Sequence, residues 1–80
     1  DVREQSEWAQ GHVPNAVLAP LPSLEAGDDC VLPLDVLLVV YCQRGARSRR
    51  AVEILAQRGY QNMLSLAGGY QAWLQQGPQT

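Results

Sequence analysis

The 80-residue sequence contains no lysine, a single histidine and only two cysteines. Cys30 and Cys42 have neither the spacing of a CxxC redox pair nor that of a zinc site, and His12 adds only one further ligand. No apolar run is long enough to span a membrane. We therefore expect no metal, no other cofactor and no membrane partner.

Positive charge is sparse and is concentrated in one short segment. All six basic residues are arginines, against eight acidic residues, and the formal net charge of -2 argues against a nucleic-acid partner held by general electrostatics. Four of the six arginines lie within residues 44–50: Arg44, Arg47, Arg49 and Arg50. Because a helix dipole disfavours cations at the helix N-terminus, this cluster indicates an anionic ligand, although Arg49 and Arg50 fit a solvated helix start equally well.

The length is that of one small domain, residues 1–80, with a core near the lower limit at which burial offsets the chain entropy lost on folding. The unbroken apolar run Val36–Tyr41 predicts a strand buried on both faces, as in a parallel sheet. Apolar residues at helical spacing, followed by Arg58-Gly59, predict a helix and its end. Met63–Leu66 then predicts a second strand, reached by a right-handed crossover.

The first third of the chain is less regular. Arg3–Gln10 predicts one or two helical turns, with Gly11 as a left-handed stop and Trp8 facing the core. His12–Leu18 predicts a turn into a short strand, and Ser23 is predicted to cap a brief helical turn.

Cys42 directly follows the apolar run and precedes a glycine-containing segment, Gln43–Ser48, that leads into the predicted helix. A strand, a tight loop and a helix start together bring backbone N–H groups onto an anion. These amides, the helix dipole and nearby guanidinium groups favour a thiolate, so Cys42 is predicted to be a nucleophile with a lowered pKa. Cys30 is interpreted as a half-buried apolar residue, with a resolving thiol as the alternative.

Five ordered segments carry a resemblance over nearly the whole chain. They are Asp1-Val2-Arg3-Glu4, Gly11-His12-Val13-Pro14-Asn15-Ala16, Val39-Val40-Tyr41-Cys42-Gln43-Arg44-Gly45-Ala46-Arg47-Ser48, Gly59-Tyr60 and Gly68-Gly69-Tyr70-Gln71-Ala72-Trp73. In this order they resemble the signatures of a rhodanese domain, from a family of sulfurtransferases with a small α/β fold. The resemblance implies an open parallel sheet flanked by helices.

By that resemblance, Cys42 carries a persulfide between a small anionic sulfur donor such as thiosulfate and a thiol or cyanide acceptor. Cys42 and Arg47 are the implied catalytic residues, with Arg47 directed inward and Arg44 on the rim. The implied substrate-binding residues are Gln43, Arg44, Gly45, Ala46, Arg47 and Ser48. Ser48 fits two roles, a helix cap or a donor to the persulfide.

Other positions are expected to be structural. The resemblance implies that Asp1 and Arg3 brace the loop through buried polar contacts, and His12 is interpreted as a turn-packing or surface residue. A final helix is predicted over Tyr70–Leu74, with Tyr70 and Trp73 packed on the sheet.

The start of the chain departs from the family pattern. Rhodanese domains usually have another strand and helix before the aspartate-valine-arginine signature. Here the domain is expected to lack them, because the sequence is expected to be truncated at its N-terminal end. A parent multidomain protein or a protein sulfur acceptor is a possible partner. Both a cytoplasmic and a periplasmic location fit the sequence.

Two other functions share features of this sequence. Related phosphatases and arsenate reductases use a similar cysteine loop, but theirs is one residue longer than the six positions from Cys42 to Arg47. The family also includes non-catalytic or sulfur-sensing regulatory modules, many of which have lost the cysteine that this chain retains.

Overall fold

Four helices and two strands make up the part of the chain described by the computed structural model, residues 1–27 and 32–76. In chain order they are α1 (Gln5–Gln10), α2 (Leu21–Glu25), β1 (Leu38–Val40), α3 (Ala46–Gln57), β2 (Met63–Ser65) and α4 (Gly69–Gln76). The predicted α/β class is confirmed. Among these residues, no helix has the length and apolar character needed to cross a membrane.

The predicted strand, helix, strand unit is confirmed. The strands β1 and β2 pair in parallel, with Leu38 opposite Met63 and Val40 opposite Ser65. After α3, Gly59 adopts a left-handed φ of +99°, and the N–H of Tyr60 donates to the carbonyl of Leu55 at 3.2 Å. Helix α3 thus ends with an arginine followed by a left-handed glycine, as the sequence indicated, and the chain reverses sharply there. The handedness of the crossover stays a prediction.

The expectation that the first strand is buried on both faces is wrong. Val39 and Leu64 are paired across the sheet, yet their exposed fractions are 51% and 57%. Helix α3 packs against both strands, and Val40, which points to the opposite side from Val39, is buried. The described elements therefore cover one face of the sheet. In an apolar run, the residues on both faces of the strand are strand formers. Only the arrangement of the other elements decides which face is covered.

The first residues of the chain lie beside the end of β1. The N–H of Val2 donates to the carbonyl of Tyr41 at 2.9 Å, and the carbonyl of Val2 accepts from the N–H of Leu21 at 3.0 Å. The carbonyl of Asp1 also accepts from the N–H of Ala19 at 2.8 Å. This extended segment fixes Asp1 and Arg3 next to the loop that follows β1.

Two predictions for the segment after α1 are wrong in detail. Gly11 ends α1, but its φ of +154° and ψ of +146° are not the left-handed helical conformation. No strand forms over residues 12–18; instead the N–H of Ala16 donates to the carbonyl of Val13 at 3.0 Å, in a turn with Asn15 at a φ of +67°. Asparagine tolerates that conformation better than most residues, so the predicted turn forms but no strand follows it.

Two further side chains in this region take unexpected places. Helix α2 begins after Pro20, with Pro22 in its first turn, so Ser23 is inside the helix and is not its cap. Proline suits a first turn because the N–H that it lacks would have no partner there. Trp8 is half-buried and stacks on His12 with ring centroids 3.5 Å apart, outside the main core.

The core lies between α2, α3 and the covered face of the sheet. Its buried members are Val2, Leu24, Val40, Cys42, Ala51, Ile54, Leu55 and Tyr60. Cys42 is thus part of the core, which ties the stability of the domain to the geometry of the loop that follows β1.

Two substitutions on β1 test the one-sided burial of the sheet. Val40→Thr places a hydroxyl in the core and is expected to lower the free energy of unfolding by about 1–3 kcal/mol. Val39→Thr, its neighbour on the other face, is expected to change it by less than about 0.5 kcal/mol. Urea denaturation measures both values, and equal losses would contradict the one-sided arrangement.

Candidate active site

The loop between β1 and α3 wraps around the sulfur of Cys42. The residue is only 1% exposed, and Sγ accepts hydrogen bonds from the N–H of Gly45 at 3.0 Å and of Ser48 at 3.4 Å. Gly45, the residue before α3, has a φ of +116° that favours glycine. The predicted strand, loop and helix start thus form a cradle of amides around a thiol.

The balance of two effects sets the pKa of Cys42. Burial of the sulfur raises the pKa, but the backbone N–H groups of Ser48, Gly45 and Arg44 lower it more. The net result is a thiol pKa below its ordinary value. The predicted lowering is confirmed, and hydrogen bonds from the loop are its main source.

The residues predicted to bind substrate surround this sulfur. A cavity of about 260 Å³ is lined by Cys42, Gln43, Arg44, Ala46 and Arg47. Gly45 and Ser48 face Sγ through their amides. The hydroxyl of Ser48 donates to the carbonyl of Gly45 at 2.9 Å and lies 2.7 Å from the Ser65 hydroxyl. Gly45, and not Ser48, is the helix cap.

Arg47 lines the cavity but is paired with an acid. Its two terminal nitrogens donate to the carboxylate of Glu7, on α1, at 2.6 and 3.0 Å. This contact lowers the pKa of Glu7 to about 2 and raises the pKa of Arg47. Arg44 is exposed at the rim of the cavity, as expected. Sequence reasoning missed Glu7, because its pairing with Arg47 depends on how α1 docks beside the loop.

A buried ion pair braces the loop from behind. Asp1 and Arg3 are both buried, and the Arg3 guanidinium donates to both carboxylate oxygens of Asp1, at 2.6 to 3.0 Å. The same guanidinium donates to the side-chain oxygen of Gln43 at 3.1 Å and to the carbonyl of Gly11 at 2.8 Å. The expected bracing role of Asp1 and Arg3 is confirmed. Gln43 consequently turns its amide side chain toward Arg3.

Helix α4 docks on the loop, which corrects the expectation that Tyr70 and Trp73 pack on the sheet. Tyr70 stacks between Tyr41 and Trp73, with centroid distances of 6.1 and 5.8 Å, and the Arg3 guanidinium lies 4.3 Å from the centre of its ring. Aromatic and cation–π contacts therefore hold the helix where β1 runs into the loop.

The remaining predicted residues divide into three cases. Arg50 lies near the carboxylates of Glu25 and Glu53, at 3.7 and 3.4 Å, which favours a surface role. His12 is confirmed as turn-packing, since Nδ1 lies 3.0 Å from the Trp8 carbonyl. Cys30 lies outside the described residues. Within those residues, no group of three or more His, Cys, Asp or Glu side chains is placed to hold a metal.

Comparison with known proteins agrees with this geometry. The sequence model of the rhodanese-like domain matches residues 1–76. The chain belongs to the rhodanese-like domain family. It is 39% identical to a protein named sulfurtransferase from Allochromatium vinosum, over 96% of this chain and 71% of that protein.

Two further comparisons extend this result. A probable adenylyltransferase/sulfurtransferase MoeZ of Mycobacterium tuberculosis is 35% identical over 95% of this chain, which spans only 20% of that longer protein. The crystal structure of a rhodanese-related protein from Thermoplasma volcanium superimposes with a TM-score of 0.82 at 35% identity, covering 95% of this chain and 74% of that one. The rhodanese-like fold expected from the sequence is confirmed.

The lowered pKa of Cys42 predicts the pH dependence of its alkylation. Because only the thiolate reacts, the rate with iodoacetamide should reach half its plateau below pH ~8.5, the value of an ordinary thiol. The measurement uses Cys30→Ser, which leaves one thiol. The same protein in denaturing urea is the control, because its Cys42 has lost the loop amides; identical midpoints in both states would refute the prediction.

The pairing of Arg47 with Glu7 predicts how charge at the cavity responds to mutation. Glu7→Gln removes a negative charge, so Cys42 in the Cys30→Ser background should react about two- to five-fold faster with anionic iodoacetate relative to neutral iodoacetamide at low salt. Glu53→Gln, which removes an equal charge from the partner of Arg50, should leave the ratio near its original value. A ratio that falls in Glu7→Gln would show that Glu7 orients Arg47 for anions.

Proposed function

We propose that this domain is a sulfurtransferase that carries a sulfane sulfur as a persulfide on Cys42. Membership of the rhodanese-like family and the sulfurtransferase names of its relatives support sulfur transfer in general. The observation that supports the finer proposal is the pair of amide hydrogen bonds to the buried Sγ of Cys42. They stabilise the anionic form of sulfur that begins and ends each transfer.

In the first half of the proposed reaction, the Cys42 thiolate attacks the outer sulfur of thiosulfate. A bond forms between Sγ and that sulfur, the sulfur–sulfur bond of the donor breaks, and its electron pair leaves with sulfite. The enzyme then holds a persulfide anion, and total charge is conserved. This step needs neither a general base, because the thiolate is already formed, nor an external oxidant.

In the second half, an acceptor nucleophile attacks the outer sulfur of the persulfide. Cyanide leaves as thiocyanate, whereas a thiolate leaves as a new persulfide, and in both cases the electron pair of the broken bond returns to Sγ of Cys42. The amides that stabilise the starting thiolate also stabilise this leaving group. Covalent catalysis thereby divides one transfer into two displacements.

The arginines have unequal roles in this proposal. Arg44 is exposed at the rim of the cavity, where its charge can attract an anionic donor. Arg47 also lines the cavity, but Glu7 neutralises part of its field. We assign Arg44 to donor recruitment, and Arg47 to stabilising sulfite as it departs.

Persulfide formation is the direct test. Incubation of Cys30→Ser with thiosulfate, followed by intact-protein mass spectrometry, should show the addition of one sulfur atom, which cyanide then removes as thiocyanate. Cys42→Ser in the same background should gain none. Failure of Cys42 to gain sulfur from thiosulfate and from other persulfide donors would overturn the proposal and favour a non-catalytic module.

Hydrolysis of an aryl phosphate distinguishes the phosphatase alternative. The loop of six positions from Cys42 to Arg47 favours sulfur transfer, so no hydrolysis is expected. Turnover of the phosphate that is lost in Cys42→Ser would reverse this preference.

A further inference from the structure

The first amides of α4 bind the two carbonyls at the start of the active-site loop. The N–H of Tyr70 donates to the carbonyl of Cys42 at 2.8 Å, and the N–H of Gln71 donates to the carbonyl of Gln43 at 3.1 Å. Both donors belong to the first turn of the helix, where backbone N–H groups have no partner within the helix. The loop carbonyls thus supply partners for N–H groups at the start of α4, and the helix in turn fixes the direction of two peptide groups in the loop.

The direction of these peptide groups bears on the sulfur. In a trans peptide, the C=O of one residue and the N–H of the next point in opposite directions. When Gln71 holds the Gln43 carbonyl toward α4, the N–H of Arg44 is turned to the other side. That N–H is one of the groups that lower the pKa of Cys42. By orienting the peptide between Gln43 and Arg44, the helix therefore influences the hydrogen-bonding environment of the Cys42 sulfur without contacting the sulfur.

Gly69 allows this approach. It is buried at the start of α4 with a φ of +62°, and a Cβ at this position would collide with the carbonyl oxygen of Cys42 and lie 2.7 Å from the carbonyl carbon and oxygen of Gln43. Side chains avoid such distances to backbone, because neither group can move away without shifting the loop. Any other residue at position 69 would push α4 and the loop apart.

We propose that Gly69 is a positioning residue for Cys42, because the absence of a side chain lets the amides of Tyr70 and Gln71 orient the loop around the sulfur. The inference deepens the proposed function, since it concerns the same thiolate. Gly69 itself contacts neither donor nor acceptor. In the sequence, Gly69 stands out only as part of the segment Gly68–Trp73, since its proximity to the loop depends on the tertiary fold.

Gly59 offers a matched control. Its φ of +99° also favours glycine, but a Cβ there would have no atom within 4 Å. Gly59→Ala and Gly69→Ala therefore share backbone strain at a left-handed position. They differ in that only Gly69→Ala forces a side chain into the loop.

The experiment measures the iodoacetamide alkylation rate of Cys42 against pH in Cys30→Ser, alone and with each substitution. We expect Gly69→Ala to react about three- to ten-fold more slowly at pH 7, with its pH midpoint moved upward, because loop amides no longer face the thiolate. Gly59→Ala should keep the midpoint of its parent. Circular dichroism and thermal unfolding establish that each variant is folded.

A second variant keeps the test decisive where Gly69→Ala does not fold. Gln71→Pro leaves position 69 unchanged but removes the N–H that holds the Gln43 carbonyl and places the proline Cδ against that oxygen, so the same peptide group must turn. Proline is tolerated in a first helical turn. This variant should raise the midpoint in the same direction. A folded Gly69→Ala or Gln71→Pro with an unchanged midpoint, or an equal shift in Gly59→Ala, would overturn the inference. Alkylation needs no sulfur donor. This test therefore gives its result whether or not the protein transfers sulfur.

Discussion

The structure depends on the hydrogen bonds that the loop backbone donates to the buried sulfur of Cys42. Burial alone would raise the pKa of Cys42, and the hydrogen bonds from the backbone of the loop outweigh that effect and lower the pKa. To donate inward, the peptide groups must direct carbonyls outward, and buried carbonyls need partners of their own. The environment of one side chain thus dictates contacts on the far side of the loop.

Distant segments of the chain supply those contacts. Helix α4 provides N–H groups for the carbonyls of Cys42 and Gln43, and Arg3 binds the side chain of Gln43. Arg3 is itself buried, so its charge needs the adjacent carboxylate of Asp1. Truncating Asp1 would leave the buried Arg3 guanidinium beside the loop without that carboxylate, which couples the brace to the environment of the thiol.

The charges around the cavity are partly neutralised. The sequence places arginines beside Cys42 and thereby predicts a positive site. In the folded domain, Arg47 is bound to Glu7 and Arg50 lies close to Glu25 and Glu53. The backbone amides close to the sulfur are consequently the main groups that favour the thiolate. The exposed Arg44 acts at longer range, where salt screens its charge.

Local patterns in the sequence determined the β1, α3, β2 unit, the left-handed Gly59 and the loop around Cys42, since each depends on neighbours along the chain. The covered face of the sheet, the pairing of Glu7 with Arg47 and the contact of Gly69 with the loop were decided only by the tertiary structure. Each brings together segments far apart in sequence, and periodicity carries no information about such distances. Strand propensity in Val39 and Val40 is alike, yet packing against α3 buries only Val40.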